Sequence, residues 1–201
     1  MRRDLIASIT AVLALTVLLG LGYPLLMTGI AQVAMPVRAD GSPIRRDGEL
    51  VGSRQVAQAF ADEDGAPLVG YFQPRPSQTG YAANASSFLN QGPNQQELAD
   101  LFAERRDAYL ELEGAYHDDL DADDVPVDAV TNSGSGIDPH VSIANARIQA
   151  ARVADERGAE LAEVLGLVDE HVDGRALGLF GEPGVNVLEL NLSIDEEYPV
   201  R

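Results

Sequence analysis

The sequence predicts an α+β protein with a single N-terminal transmembrane helix followed by one extracytoplasmic mixed α/β domain. Three features of the 201 residues support this class: a long uncharged apolar run, helical periodicity in the middle of the chain, and apolar–polar alternation near its end. The predicted organisation is a short cytoplasmic N-terminus at 1–4, a transmembrane helix at 5–34 and the extracytoplasmic domain at 35–201.

The apolar run from Leu5 to Ala34 contains no charged residue. A bilayer core of about 30 Å is crossed by about 20 apolar helical residues, so the run is long enough to span it even with Pro24 inside. The alternative is a cleaved signal peptide, whose apolar region has only about 7–15 residues. We therefore predict a retained single-pass span in the cell membrane. Arginines lie on both sides of it, so the charge distribution does not decide the orientation. A short basic N-terminus followed by an apolar run resembles a signal anchor, and this likeness places the large domain outside.

The composition is strongly acidic, because 32 Asp and Glu residues oppose 14 basic residues, all of them Arg, for a formal net charge of −18. Nucleic acids are bound through basic patches, so this balance excludes them as partners. Self-repulsion at such a charge disfavours a compact fold, but at molar salt the Debye length shrinks to about 3 Å. We therefore interpret the acidity as a halophilic adaptation.

The chain contains neither Cys nor Lys. Their absence excludes disulfides, thiolate nucleophiles, Cys-based metal sites, the lysine of a P-loop and Schiff-base chemistry. The three histidines show no metal-ligand spacing. The acidic run His117–Asp124 lacks the EF-hand spacing, so we predict a solvated surface loop there rather than a calcium site. We predict no metal site.

Turns, loops and a helix follow the span. We predict a short helix at Ser53–Phe60 with Ser53 as its cap, and an extended ordered loop at Tyr71–Asn94, which is rich in proline and glycine. A helix then begins with Asn94 as its cap. Its apolar face consists of residues at three- and four-residue spacing: Leu98, Leu101, Phe102, Tyr109 and Leu112.

The second half of the chain predicts two helices between strands. A short strand at Val125–Thr131 is followed by a helix that begins at Asp138–Pro139 and ends at Gly158, since Asp caps, Pro starts and Gly stops helices. A second helix covers Leu161–His171. The alternation of apolar and polar residues from Leu188 to Ile194 predicts a half-buried strand, paired as a hairpin with Ala176–Phe180.

The loop Val130–Ser142 concentrates Ser133, Ser135, Asp138 and His140 and leaves three interpretations open. Catalytic triads are assembled from distant positions, and no G-x-S-x-G elbow is present, so we predict no catalytic residue. A phosphate cradle has this order of strand, glycine-rich loop and helix, but the G-x-G-x-x-G pattern fails at its last position. A helix cap preceded by turn-forming glycines explains the pattern most simply, and so polar a loop is also a candidate docking surface.

Several longer motifs resemble the C subunit of the Kdp potassium-transporting P-type ATPase, and the resemblance covers nearly the whole chain. The motifs occur in the order of that family and are YPLLMTGIAQVAMP (Tyr23–Pro36), VGSRQVAQAF (Val51–Phe60), YFQPRPSQTGY (Tyr71–Tyr81), ASSFLNQGPN (Ala85–Asn94), VPVDAVTNSGSGIDPHVS (Val125–Ser142), QAARVA (Gln149–Ala154) and GRALGLFGEPGVNVLELNL (Gly174–Leu192). One departure is Gly184, which stands where the family usually has a basic residue.

The resemblance implies a non-catalytic accessory subunit of a high-affinity ATP-driven potassium uptake complex, needed for its assembly, stability and full activity. The implied partners are a channel-like potassium-translocating subunit, a P-type ATP-hydrolysing subunit and a small hydrophobic subunit. The family is described as a catalytic chaperone that raises the ATP affinity of the hydrolysing subunit, and the matching glutamine is Gln149, with Arg152 nearby. The resemblance implies no tightly bound cofactor in this chain, and it implies a link to ATP only through the catalytic subunit.

Two alternatives remain: a regulatory subunit that binds nucleotide directly in a ternary complex with ATP and the catalytic subunit, and a membrane-anchored hydrolase. If the domain lies outside, Gln149 cannot reach cytoplasmic ATP across a core of about 30 Å, so we expect an indirect effect on ATP affinity.

The predicted subunit contacts lie on the span and on three loops. Gly20, Gly22 and Gly29 permit close approach of a helix from the channel-like subunit. The loops are Tyr71–Tyr81, Ala85–Asn94 and Asn132–His140, and the candidate contact residues in them are Arg75, Pro76, Ser86, Asn94, Ser133, Gly134, Ser135, Asp138 and His140.

Overall fold

A computed structural model describes residues 1–82, 84–87 and 90–200. Ala83, Phe88 and Leu89, in the predicted loop Tyr71–Asn94, lie outside the described residues, as does Arg201 at the end of the predicted domain. The chain divides into two compact units, Met1–Val51 and the residues from Gly52 onward, and each is described by itself. An apolar N-terminal helix and a mixed helix–strand unit confirm the predicted α+β class.

The first unit is dominated by one apolar helix, Arg2–Ala34, of 33 residues. It consists of α1 (Arg2–Val17), a π-helical turn (Leu18–Gly22) and α2 (Tyr23–Ala34). Pro24 has no N–H to donate, and the wider turn before it is one way in which a helix absorbs such a residue. At about 1.5 Å per residue the helix exceeds the core thickness of a bilayer, and its most apolar window is entirely exposed.

Short elements follow this helix. They are α3 (Pro36–Ala39) and a two-stranded sheet of β1 (Pro43–Arg46) and β2 (Glu49–Ser53). The turn between the strands holds Asp47 and Gly48 at positive φ, 52° and 84°, which the Asp-Gly pair tolerates well. The predicted helix at Ser53–Phe60 is wrong, because Ser53 ends β2 and the residues after it form turns and irregular backbone.

The second unit packs helices on a small antiparallel sheet. Its elements are α4 (Gln96–Glu113), a 3₁₀ turn (Gly114–Tyr116), α5 (Val127–Val130), β3 (His140–Val141), α6 (Ile143–Arg157), α7 (Leu161–Glu170), β4 (Val172–Asp173), β5 (Gly184–Asn186) and α8 (Val187–Glu197). The strand order is β3-β5-β4, with Val141 and Val172 both paired to Val185.

The hydrophobic core of this unit lies between the sheet and helices α6, α7 and α8. Phe72 joins it from the long loop and is completely buried. The other core residues are Val141, Ala146, Ala150, Val153, Ala154, Val164, Leu167, Val168, Val185, Val187, Leu190 and Ile194. This core fixes α6, and therefore every polar side chain that α6 carries inward.

The C-terminal end of α6 agrees with the prediction, whereas its N-terminal start does not. The helix stops at Gly158, whose φ of 64° is left-handed, and α7 follows at Leu161, as predicted. The predicted start at Asp138–Pro139 is wrong. Ser142 is the cap, since its Oγ accepts a hydrogen bond from the N–H of Asn145, and β3 intervenes. Likewise α4 begins at Gln96 with Gln95, not Asn94, as its cap.

Two predicted strands are helices. Val125–Thr131 contains α5, a single helical turn, and the predicted strand Leu188–Ile194 lies within α8. Asn186 caps α8 through a hydrogen bond from the N–H of Glu189. The buried residues of α8 are Val187, Leu188, Leu190, Asn191 and Ile194, and four of them, Val187, Leu190, Asn191 and Ile194, recur at helical spacing. The hairpin exists, but it joins β4 to β5 through the loop that contains Ala176–Phe180.

Candidate functional site

Helix α6 carries a polar stripe into the interior of the second unit. Asn145, Gln149 and Arg152 recur at four- and three-residue spacing and are all buried beside Ala146 and Val153. Buried polar groups are costly unless their hydrogen bonds are satisfied. The partners of these three side chains therefore decide what the stripe can do.

Gln149 is bonded on both ends of its amide. Its Oε1 accepts hydrogen bonds from the backbone N–H of Gln73 at 2.6 Å and from Arg152 Nη2 at 3.1 Å. Its Nε2 donates to the backbone oxygen of Gln73 at 3.1 Å and to Asn145 Oδ1 at 2.9 Å. Both amide hydrogens and both oxygen lone pairs are thereby engaged within the protein.

Arg152 forms a buried ion pair with Glu113 at the end of α4. Its Nε lies 3.0 and 3.1 Å from the two carboxylate oxygens of Glu113. Its Nη1 donates to the backbone oxygens of Val69 and Tyr71. Burial raises the pKa of Glu113, and the guanidinium of Arg152 opposes that shift. The guanidinium thus joins α4, α6 and the long loop at one point.

A groove of about 240 Å³ borders this cluster. Arg105 is the only Arg among its described lining residues, which also include Tyr81, Tyr109 and Gln149. Arg105 already donates to the backbone oxygen of Val130 and to the side chain of Asn132. Burial lowers the pKa of Arg105 and raises that of Tyr81 to about 12. A triphosphate would therefore meet one guanidinium that is already hydrogen-bonded.

The three loops predicted as a contact surface pack on one another. Arg75 forms an ion pair with Asp138 at 3.4 Å and donates to the backbone oxygen of Asn132 at 3.2 Å. Ser77 Oγ donates to the backbone oxygen of Gly136, and Ser86 Oγ donates to that of Ser135 at 2.9 Å. These contacts join the three segments Tyr71–Tyr81, Ala85–Asn94 and Asn132–His140. No local pattern in the sequence predicted that the segments contact one another.

The glycine-rich loop uses its own side chains to satisfy its backbone. The N–H groups of Gly136, Ile137 and His140 donate to the side chains of Ser133, Ser135 and Asp138 at 2.8, 3.2 and 3.0 Å, respectively. A phosphate cradle needs such N–H groups to point at the ligand. Here they are engaged, so the loop is a self-supported turn that presents its outer surface.

His140 lies between two carboxylates. Its Nε2 is 2.9 Å from Asp173 Oδ2, and its Nδ1 is 3.6 Å from Asp138 Oδ1. The contact with Asp138 raises the pKa of His140, burial opposes the shift, and Asp173 adds to it. Burial alone would raise the pKa of Asp138, but its bonds with His140 and the charge of Arg75 hold it below the usual value. Both ring nitrogens thus face carboxylates rather than a serine, which is not the arrangement of a hydrolase.

The candidate residues differ in exposure. Ser133, Gln149 and Arg152 are buried; Arg75, Pro76, Ser135, Asp138 and His140 are partly buried; Ser86, Asn94, Gly134, Gly20, Gly22 and Gly29 are exposed. Asn94 lies just before α4, and the three glycines lie on the apolar helix. Among the described residues, no group of three or more His, Asp or Glu side chains is arranged to hold a metal ion.

Sequence reasoning missed four partners in these networks: Gln73, Glu113, Asn191 and Arg54. Each makes at least one bond to a residue more than 30 positions away, for example Arg54 to Asp173 at 2.7 Å. One signal was present, because Glu113 and Asn191 lie next to apolar positions of amphipathic helices. A polar residue at such a place is a candidate for a buried, bonded group.

The chain is similar to known proteins over its whole length. The family model of the K+-transporting ATPase c chain, KdpC, matches residues 5–196. The potassium-transporting ATPase KdpC subunit of Rhodospirillum rubrum is 47% identical over 202 residues, covering 100% of this chain and 99% of that protein. The KdpC subunit of Mycobacterium tuberculosis (strain H37Rv) is 44% identical over 197 residues, covering 97% and 99%. That of Cereibacter sphaeroides (strain ATCC 17029) is 47% identical over 188 residues, covering 94% of each.

Proposed function

This chain belongs to the KdpC family of K+-transporting ATPase c chains, and from that premise we propose a non-catalytic accessory role in ATP-driven potassium uptake. As a KdpC chain it is a subunit of the K+-transporting ATPase complex. In our proposal it stabilises the assembled complex and is needed for its full activity. Its partners are a channel-like potassium-translocating subunit, a P-type ATP-hydrolysing subunit and a small hydrophobic subunit.

The observation that carries this proposal is the apolar helix Arg2–Ala34. Its large apolar side chains are exposed along its length, for example Leu13, Leu25 and Ile30 at 62%, 69% and 52%. Such surface needs lipid or the helices of a partner to cover it. Gly20, Gly22 and Gly29 leave room on this helix for a neighbouring helix to approach. Apart from the chain neighbours and the adjacent backbone of the same helix, no atom lies closer than 3.7 Å to a Cβ added at any of them.

The large unit lies outside the cytoplasm in this proposal, and its effect on ATP affinity is indirect. Gln149 and Arg152 are 2% and 0% exposed, and their polar atoms are engaged within the unit. Their hydrogen bonds support a structural role, in which they hold the loop that precedes Gln73 against α6. Coupling to the nucleotide would then pass through the span or through the channel-like subunit.

The competing function is direct nucleotide binding, and one observation favours it: Gln149 and Arg105 border the same open groove. In that case ATP would displace Gln73 from the amide of Gln149. A photoreactive ATP analogue would then label peptides that line the groove in the assembled complex.

Two measurements on the full chain test the proposal. First, affinity purification of this chain from its own membranes should bring down the ATP-hydrolysing and channel-like subunits in fixed ratio. Purification of the chain alone from a membrane that contains those subunits would contradict the accessory role.

Second, the naturally cysteine-free chain allows a clean topology test. Ala162→Cys places a thiol on the exposed surface of α7, and Arg3→Cys places one before the span. An impermeant thiol reagent on intact cells should label Ala162→Cys alone, with Arg3→Cys reacting only after lysis. The reverse pattern would place the large unit in the cytoplasm and would favour direct nucleotide binding.

A further inference from the structure

The segment that follows the apolar helix differs in charge from the rest of the chain. Residues 36–50 contain three of the fourteen Arg residues and three acidic residues, so their formal charge is zero. The 150 residues from Gly52 onward contain nine Arg and 28 acidic residues, for a formal charge of −19. Arginine is therefore more than three times as frequent next to the helix as it is beyond it. We call residues 36–50 the post-span segment.

The depth of the post-span segment in the membrane follows from the length of the helix before it. The uncharged part of that helix, Leu5–Ala34, is about 45 Å long at about 1.5 Å per residue, which matches the thickness of a bilayer with its headgroups, about 40–45 Å. Any tilt of the helix brings its end closer to the hydrocarbon. The side chain of Gln32 donates to Asp40 Oδ1 at 2.8 Å, which holds α3 at the end of the helix. The post-span segment therefore lies at the level of the lipid headgroups, on whichever side of the membrane the second unit is.

The exposed side chains of the post-span segment suit the boundary between acyl chains and headgroups. Val37 and Leu50 are 65% and 61% exposed, and Arg38 and Arg45 are exposed as well. Arg45 donates to the backbone oxygen of Gly48 at 3.3 Å, whereas no hydrogen bond or ion pair with a described residue engages the guanidinium of Arg38. A guanidinium presents paired N–H groups that match two phosphate oxygens, and its aliphatic stem can lie along apolar chains.

We propose that Arg38 and Arg45 bind the phosphate groups of membrane phospholipids, while Val37 and Leu50 enter the adjacent acyl layer. This lipid contact goes beyond the accessory role proposed above and rests only on the membrane span. It does not need long-range attraction, because charge-assisted hydrogen bonds persist at contact distance where molar salt reduces the Debye length to about 3 Å. Lipid is a more economical occupant than a protein partner, since the span itself brings phosphates to this level.

The test uses the full chain, assembled with its partner subunits in vesicles of phosphatidylcholine and phosphatidylglycerol. The vesicles also contain a phospholipid with a diazirine in its headgroup, which forms covalent adducts on illumination. Mass spectrometry should find lipid adducts within Pro36–Leu50. The peptide that contains Val127, which is 74% exposed on the second unit, is the internal control and should carry none. Adducts confined to Leu5–Ala34 would overturn the proposal.

The contribution of the two arginines is tested by substitution. Arg38→Gln/Arg45→Gln should lower the adduct yield within Pro36–Leu50 about twofold or more, at 3 M KCl as at 0.1 M. The matched control Arg106→Gln/Arg147→Gln removes two partly exposed arginines of the second unit and should leave the yield unchanged. Equal yields from the parent chain and the first variant would overturn the phosphate contact. If that variant melts at a lower temperature, Arg38→Gln alone decides, because it removes no internal bond among the described residues.

A protein occupant is distinguished from lipid by a second probe. The chain has no Cys, so Leu50→Cys can be modified with a benzophenone maleimide before the chain is assembled with its partners. Capture of phospholipid by this probe supports the proposal. Capture of a partner subunit, or of a second copy of this chain, without lipid would overturn it.

Failure of this inference and failure of the accessory role give different results. If the chain purifies with its partner subunits but Pro36–Leu50 carries no lipid adduct, only the lipid contact fails. If the chain purifies alone and Pro36–Leu50 is labelled in vesicles, the accessory role fails and the lipid contact stands.

Discussion

Gln149 and Asn191 bind neighbouring residues of one loop in the same way from two different helices. Gln149, on α6, accepts from the N–H of Gln73 and donates to its carbonyl oxygen. Asn191, on α8, does the same for Phe72, at 2.8 and 2.9 Å. The two side-chain amides thereby supply this extended segment with the backbone hydrogen bonds that a neighbouring strand would supply in a sheet. Phe72 is held in the core as a consequence, and the loop that follows it starts from a fixed point.

This equivalence predicts that Gln149→Ala and Asn191→Ala have similar effects. Each change leaves one backbone N–H and one carbonyl without their partner, and we expect each to lower the free energy of unfolding by about 1–3 kcal/mol. Gln149→Ala should lie towards the upper end of this range, because it also removes the bonds to Asn145 and Arg152. If Gln149 acts only through the loop, both variants should also change the ATP affinity of the assembled ATPase to the same extent. A shift in ATP affinity confined to the Gln149 variant, at equal thermal stability, would instead indicate nucleotide contact.

The pair Arg152–Glu113 is predicted to be sensitive to the loss of one partner. Arg152→Met leaves the buried carboxylate of Glu113 and two backbone oxygens unpaired, which typically costs about 3–5 kcal/mol. The matched control is Arg147→Met on the same helix, because its ion pair with Asp169 is exposed and worth about 1 kcal/mol or less. Thermal melts of the two full-length variants test the contrast. Equal melting temperatures would mean that Arg152 does not hold α4 and the loop to α6.

Local sequence signals were sufficient where a single stretch decided the structure. The uncharged run Leu5–Ala34 predicted the apolar helix, and Gly158 predicted the end of α6. They failed where the spacing of the apolar residues was compatible with both a strand and a helix. In α8, the alternating Leu188, Leu190 and Ile194 satisfied a strand, but Asn186 as a cap and packing on α7 selected the helix. Tertiary contacts settle such segments, and those contacts are not visible in the local pattern.

The networks around Gln149 and His140 were beyond prediction for a related reason. Gln149 meets Gln73 across 76 positions, and His140 meets Asp173 across 33. Asp138 followed by Pro139 has the signature of a helix start, yet its carboxylate bonds the N–H of His140, which pairs with β5 instead. The family resemblance identified Gln149, but the positions of its partners could be found only in the structure.

The glycine-rich loop provides a sharp steric prediction. A Cβ at Gly136 would lie 2.8 Å from the backbone oxygen of Ser87, and its φ is 76°. We expect Gly136→Ala to destabilise the second unit by about 1–3 kcal/mol, through strain and loss of the packing between the loops. The control Gly134→Ala, two residues away, meets nothing within 4 Å and should be close to neutral. Equal melting temperatures for the two variants would contradict the packing of Ser87 against this loop.

The environment of His140 predicts a dependence of stability on pH. Because the pKa of His140 is raised in the folded chain, its stabilising contribution is complete below its unfolded value of about 6.5 and is lost as pH rises through the higher folded pKa. Asp138 acts in the opposite direction, since its lowered pKa gives stability that is lost only as the pH falls towards the acid range. Two guanidinium groups also face these carboxylates: Arg54 lies 2.7 Å from Asp173, and Arg75 lies 3.4 Å from Asp138.

The measurement is a series of thermal melts of the full chain between pH 5.5 and 8.5. The melting temperature should decline with rising pH near and above neutrality, by an amount that corresponds to no more than about 1 kcal/mol because these groups are partly exposed. His140→Gln should flatten this dependence. A parent chain whose stability rises over the same interval would contradict the proposed pairing with Asp138 and Asp173.

The net charge of −18 predicts that salt stabilises the folded chain. Exposed carboxylates cluster in the loop after α4, at Asp118, Asp119, Asp121, Asp123 and Asp124, where no basic side chain is interspersed. Their mutual repulsion extends about 10 Å at 0.1 M salt but only a few ångströms at molar salt. The melting temperature should therefore rise between 0.1 M and 3 M KCl, and Asp119→Asn/Asp121→Asn/Asp123→Asn should reduce the rise. Sucrose is the control, because it favours compact states by exclusion without screening charge. If sucrose stabilises the chain as much as KCl does and the triple variant behaves like its parent, the acidity is not an adaptation to a salty medium.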